Sequence, residues 1–184
     1  MKTITLKQVA FALAILFMFN AATAKVKTVA LNGNDIKWTT IEQAVSNAKS
    51  DNKKFILVDL YTDWCGWCKK MDENAYQDGG VVGLMNENFT AVKFNAESPN
   101  SITFNGKSYP FVKTGARGAN QLALDLGSIG GKLGYPTIVV LDETGKKLQS
   151  FPGYKDVETL TAILKYFKSG SYKTMDFQQF QSGQ

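Results

Sequence analysis

The sequence predicts an α/β domain with a mixed central sheet and helices on both faces. Three observations lead there: a near-continuous apolar run at Phe55–Tyr61, helical periodicity on either side of it, and a two-stranded hairpin followed by an amphipathic helix near the C-terminus. With 184 residues, 44% of them hydrophobic and 20% charged, the chain is long and apolar enough for one domain with a proper core. Sixteen glycines and four prolines are too few for a collagen-like or low-complexity chain, and the absence of any fixed repeat argues against a solenoid or propeller. Two cysteines and no histidine leave too few soft ligands for a structural zinc site and exclude a Ser-His or Cys-His catalytic pair.

Residues 1–24 carry Lys2 and Lys7, then a mostly apolar stretch over 9–19, then Ala22-Thr23-Ala24, the layout of a secretory signal peptide. The apolar stretch is eleven residues long, against the roughly 20 needed to span a bilayer, so a retained anchor is the weaker reading. The mature domain is expected to begin at Lys25, with no stable membrane insertion after cleavage. Loss of Lys2 and Lys7 lowers the formal charge from +5 to +3 over 160 residues, which is no nucleic-acid footprint. The paired lysines 53–54, 69–70 and 146–147 read as solvated surface at element ends.

Along the mature chain, residues 26–31 suit a short strand and 32–35 a turn. A helix is expected next, with Thr39 and Glu42 as a capping box and Ile41, Ala44, Val45 and Ala48 on one face, ending near Ser50. Phe55–Tyr61 reads as a strand buried on both faces, with one anomalous carboxylate at Asp59. Residues 65–76 have helical spacing, Gly79-Gly80 marks a break, and a second helix is expected over 81–88 before a strand at 89–96.

Residues 97–132 behave as an insertion, with an Asn105-Gly106 hairpin signal inside 102–109 and a short helix over 118–126. A strand at 136–141, a turn at 142–145 and a return strand at 147–151 form the late hairpin. Residues 157–167 make the last amphipathic helix, through Leu160, Ile163, Leu164 and Phe167, and 168–184 reads as a polar, loosely held tail.

The chemistry is concentrated in Trp64-Cys65-Gly66-Trp67-Cys68-Lys69, where two thiols three apart at a helix start can alternate between dithiol and disulfide. Backbone N–H groups and the helix dipole stabilise a thiolate at Cys65, the expected nucleophile, with Cys68 one turn deeper as the resolving thiol. A plain structural bridge is the alternative, weakened because so short a loop constrains little of the unfolded chain. Half of an intersubunit zinc site is another, but further ligands are lacking.

The run Ile56-Leu57-Val58-Asp59, the Trp64–Lys69 motif and Gly134-Tyr135-Pro136-Thr137, in this order and spacing, resemble the thioredoxin family. The similarity covers most of 55–167 outside the insertion and implies a thioredoxin-like three-layer fold, with the insertion before the cis-proline strand. Within the family, the motif and insertion look most like exported thioredoxin-like proteins of Gram-negative bacteria. The resemblance implies that Asp59 is a buried carboxylate able to accept the Cys68 proton, Lys93 its partner, and Pro136 a cis-proline. Trp64, Gly66, Trp67 and Tyr135 would then border the substrate groove. Burial would raise the Asp59 pKa, which suits proton acceptance; a carboxylate bonded to nearby backbone is the alternative. For Lys93 the alternative is a surface lysine on an edge strand, and for the aromatics ordinary packing.

Two departures from thioredoxin bear on activity. Trp67 replaces the usual proline, so the redox poise cannot be copied across, and the insertion either rims the site or covers a sheet edge. The expected function is an exported thiol-disulfide oxidoreductase, periplasmic or secreted, that reduces protein disulfides without a cofactor. Protein disulfides are its substrates, a membrane electron donor is implied, and a monomer is expected. A disulfide oxidase or isomerase is the alternative within the class, although relatives of that kind typically carry a histidine between the cysteines. A non-catalytic peptide-binding or chaperone-like module is the alternative outside it. A peroxidase or metal chaperone lacks the accompanying residues.

Overall fold

The computed structural model describes residues 35–114 and 117–183. The expected signal peptide, the expected strand at 26–31 and most of the turn that follows lie outside them. A five-stranded sheet runs in the order β1-β3-β2-β8-β9, with β1 Trp38–Thr39, β2 Phe55–Tyr61, β3 Phe89–Asn95, β8 Thr137–Asp142 and β9 Lys147–Pro152. β1, β3 and β2 are mutually parallel, whereas β8 and β9 run antiparallel to their neighbours. The sheet is therefore mixed, and β2 lies at its centre.

Alternation along the strands sorts the core into two halves. Leu57, Ala91, Ile138 and Val140 face one side, where they pack with α2 (Gly66–Glu73), α3 (Gly79–Asn88) and α5 (Val157–Lys168) through Met71, Val82, Met85, Leu160 and Phe167. Ile56, Val58, Leu60, Val92 and Val139 face the other, against Ala44 and Ala48 of α1 (Ala44–Ser50) and Leu122, Ala123 and Leu126 of α4 (Gln121–Gly127). Helices on both faces explain why β2 is apolar at successive rather than alternate positions. Phe167 is fully buried and meets Phe55, Phe151, Tyr166 and Tyr172 ring to ring. Phe167→Ala is expected to cost about 3–5 kcal/mol, read from the midpoint of urea unfolding.

Four local expectations are corrected. The first helix starts at Ala44, and Thr39 belongs to β1, where its hydroxyl accepts from Asn47 Nδ2 (2.9 Å) instead of serving a capping box with Glu42. Gly79 and Gly80 open α3 rather than breaking the chain, because Asp78 caps the helix by accepting the Gly80 and Val81 N–H groups at 2.9 and 3.0 Å. The helix over 65–76 ends at Glu73 and is followed by a single 3₁₀ turn, Ala75–Gln77. The tail is not loosely held: a 3₁₀ turn at Ser171–Lys173 and α6 (Phe177–Ser182) place Tyr172, Phe177 and Phe180 against the core. Tyr166 anchors it twice, by ring contacts to Phe177 and Phe180 and by a 2.6 Å hydrogen bond from its hydroxyl to the Met175 carbonyl.

The insertion forms two ribbons. β4 (Ile102–Phe104) and β5 (Lys107–Tyr109) turn through Asn105 and Gly106, both at positive φ as a tight two-residue hairpin requires. β6 (Phe111–Thr114) and β7 (Arg117–Asn120) make a second pair that the sequence reading lacked, and α4 begins only at Gln121. Asn120, fully buried, roots both ribbons. Its N–H donates to the Ala96 carbonyl, its amide Nδ2 to the carbonyls of Asn100 and Tyr109, and its Oδ1 accepts the Leu122 N–H.

Candidate active site

β2 ends at Tyr61, and the turn that follows is closed by the Cys65 N–H donating to the Thr62 carbonyl at 3.1 Å. Cys65 then adopts an extended conformation as the N-cap of α2, and its Sγ accepts the Cys68 N–H at 3.1 Å. The two cysteines are joined in a disulfide, with their Cα atoms 5.3 Å apart. Both are buried, whereas Trp64 and Trp67, their neighbours in sequence, are 53% and 58% exposed.

Asp59 faces the same side of the sheet as Leu57, and in the parallel register of β2 with β3 its partner is Lys93. Lys93 Nζ donates to Asp59 Oδ2 at 2.7 Å and also contacts Asp72 Oδ1 from α2. The rings of Trp38, Tyr61 and Tyr76 surround that ammonium at 5.2, 5.2 and 5.1 Å. Lys93 thus sits on an interior strand between two carboxylates, not on a sheet edge. Burial pushes the Asp59 carboxyl above its ordinary range; Lys93 opposes the shift and the Asp72 charge adds to it. Burial also disfavours the Lys93 ammonium, but its two carboxylates outweigh this and hold its pKa above the usual lysine value. The buried Tyr76 phenol is raised well above its usual range, first by burial and then by the Asp59 charge. Asp59 Oδ1 and the Tyr76 hydroxyl have no hydrogen-bond partner among the described residues.

The rim is built from the insertion and from the loop before β8. Trp64 Nε1 donates to Glu97 Oε2 at 2.9 Å, the Arg117 guanidinium lies 4.0 Å from the Trp64 ring centroid, and Tyr135 meets that ring edge-on at 5.9 Å. A pocket of about 400 Å³ opens between these groups, Leu124 and Leu133. Burial, with Glu97 nearby, pushes the Tyr135 phenol up to about 12. The Tyr135–Pro136 peptide is cis, and the backbone N–H and C=O of Tyr135 carry no hydrogen bond among the described residues. Trp67 does not join this cluster. It packs on Tyr154 at 5.4 Å, with the Lys70 ammonium 5.0 Å from its ring centroid. At Gly66 a side chain would meet open space, so the first turn of α2 is uncovered.

Sequence reasoning assigned no role to Asp72, Tyr76, Arg117 or Tyr154. Asp72 had a usable signal, since it lies on the motif's own helix within two turns of Cys65. The contact of Arg117 with Trp64 crosses 53 positions of chain and left no local trace.

Comparison with known proteins places this geometry. The Thioredoxin-like domain family matches residues 41–168. A protein disulfide-isomerase of Schizosaccharomyces pombe is 27% identical over 127 residues, which are 68% of this chain but only 28% of that protein's length. Among solved structures, a thioredoxin-fold protein from Helicobacter pylori aligns with a TM-score of 0.52 at 19% identity, over 84% of this chain and 89% of that one. A thioredoxin from Thermus thermophilus aligns with a TM-score of 0.52 at 16% identity, over 73% and 88% of the two chains. With the family match spanning well over half of its residues, the chain belongs to the thioredoxin-like family.

Proposed function

We propose that the chain is an exported thiol-disulfide oxidoreductase that reduces protein disulfides through a mixed disulfide. The observation that carries this reading is the seat of Cys65, whose Sγ caps α2 and is already paired with Cys68. In the reduced protein the same capping position favours the Cys65 thiolate over the thiol. That thiolate attacks one sulfur of a substrate disulfide, forming the mixed disulfide and expelling a substrate thiolate. Cys68 then gives its proton to the Asp59 carboxylate and attacks Cys65 Sγ; the Cys65–Cys68 bond forms and the second substrate thiolate leaves. Two electrons pass from the dithiol to the substrate, and an external dithiol must restore them.

The upward shift at Asp59 supports its role as proton acceptor, because a more basic carboxylate takes a thiol proton more readily. Lys93 is its positioning partner. Trp64, Gly66, Trp67, Tyr135 and Pro136 border the substrate surface, and the unengaged Tyr135 backbone offers an extended substrate segment a donor and an acceptor. The charge and apolar pattern of residues 1–24 supports export, to the periplasm or beyond, and an exported reductant needs electrons delivered by a membrane donor.

Titrating the Cys65/Cys68 pair of the mature protein against a thiol redox buffer tests the direction. A reducing potential, closer to about −270 mV than to about −120 mV, is the expected result. A value of about −120 mV would reverse the direction to disulfide formation, and a pair that does not cycle would leave only a peptide-binding module. Recovery of a chain beginning at Lys25 from a bacterial periplasm tests export.

A further inference from the structure

Asp59 is buried, and in the proposed reaction a proton it accepts from Cys68 must leave before the site can work again. Its Oδ1 is unbonded and its Oδ2 touches Lys93 Nζ, which in turn touches Asp72 Oδ1. Side-chain exposure rises along this line from 1% at Asp59 to 21% at Lys93 and 45% at Asp72. Among the described residues it is the one hydrogen-bonded connection from Asp59 to an exposed group. We propose that Asp59, Lys93 and Asp72 form a proton path to solvent, with Asp72 as its exit.

The path rests on the oxidoreductase reading and deepens it. The Cys68 proton binds the Asp59 carboxylate, and the carboxyl turns about Cβ–Cγ to present it to Nζ. Lys93 passes one of its own protons to Asp72 as it takes up the Asp59 proton, so that it stays an ammonium throughout while Asp59 returns to carboxylate. Asp72 releases its proton to water, so each group ends as it began and one proton has crossed to solvent. The other titratable groups facing Lys93 are the phenols of Tyr61 on β2 and Tyr76 on the 3₁₀ turn. Burial raises the pKa of both, so they stay protonated at neutral pH and do not compete as acceptors. Asp72 is a positioning and relay residue; it has no contact with substrate in this scheme.

The test uses reduced mature protein mixed with an aromatic disulfide whose coloured thiolates stay ionised at neutral pH. One turnover then releases two coloured thiolates and a single proton, the one from Cys68. Absorbance follows closure of the Cys65–Cys68 bond, and a pH-indicator dye follows the proton. In the wild type the two signals are expected to coincide. In Asp72→Asn the proton is expected to trail closure by about tenfold or more in rate, and Asp72→Glu is expected to restore coincidence. A merely structural role for Asp72 would slow closure or lower stability without separating the two signals. Coincident signals in Asp72→Asn would overturn the path while leaving the oxidoreductase intact, whereas a wild type that fails to close its disulfide would overturn the underlying reading itself.

Discussion

Cys65→Ser is expected to abolish disulfide reduction, and Cys68→Ser to stall it one step later with substrate still attached. A serine hydroxyl stays protonated at neutral pH where a capped thiol ionises, and only the thiolate attacks a disulfide at a useful rate. Initial rates with a protein disulfide should fall to background in Cys65→Ser, a loss of at least about four orders of magnitude if only the activated sulfur is chemically competent. Cys68→Ser should keep the first attack, so its mixed disulfide accumulates and is seen as a covalent adduct on a non-reducing gel. The pairing of outcomes matters more than either alone. If Cys65→Ser kept full reductase activity, the N-cap sulfur would not be the nucleophile. If Cys68→Ser accumulated nothing and turned over normally, an external thiol rather than Cys68 would be resolving the intermediate.

Asp59→Asn should act in opposite directions on rate and on stability. The amide cannot take the Cys68 proton, so release of the mixed disulfide is expected to slow about a hundredfold near neutral pH, and raising the pH should narrow the gap as Cys68 ionises unaided. For stability, the folded-state pKa of Asp59 lies above its unfolded value, so the native protein holds the proton more tightly. The stabilisation this gives is complete below the unfolded pKa and is lost as pH rises through the folded one. Above its folded pKa the native protein therefore buries a carboxylate at a net cost, which the asparagine removes; Lys93 keeps Asp72 as its counter-ion. A melting-temperature gain that grows as pH rises through that folded pKa, and is smallest in acid, is the expected result. A variant that loses stability relative to wild type as pH rises would mean that the pair with Lys93 outweighs the burial.

β2 was legible because a strand covered on both faces is apolar at nearly every position, Asp59 excepted, and the Asn105-Gly106 turn because few residues accept two successive positive φ values. The start of α3 was not, because the capping carboxylate of Asp78 outweighs two residues that by propensity break helices. The strands β6 and β7 are four residues each, too short to show a clear alternation, and the C-terminal tail hid three packing aromatics in a stretch of polar average composition. At the site the same division holds. Cys65, Cys68 and Asp72 are local in sequence, whereas Lys93, Glu97 and Arg117 converge on the site from separate elements and depend on sheet register and loop path.

The root of the insertion at Asn120 bears on how such a domain can change over time. Because this residue completes hydrogen bonding just beyond the end of β3 and ties down both ribbons, residues 97–132 are not a detachable ornament; excising them would strip the Ala96 carbonyl of its partner and remove Ile102 and Phe104 from the core half they share with Val58, Val92 and Leu141. The rim is different, because Arg117 and Glu97 touch Trp64 from outside the core. Rim side chains on this fixed base can therefore be exchanged without disturbing the buried Cys65–Cys68 bridge.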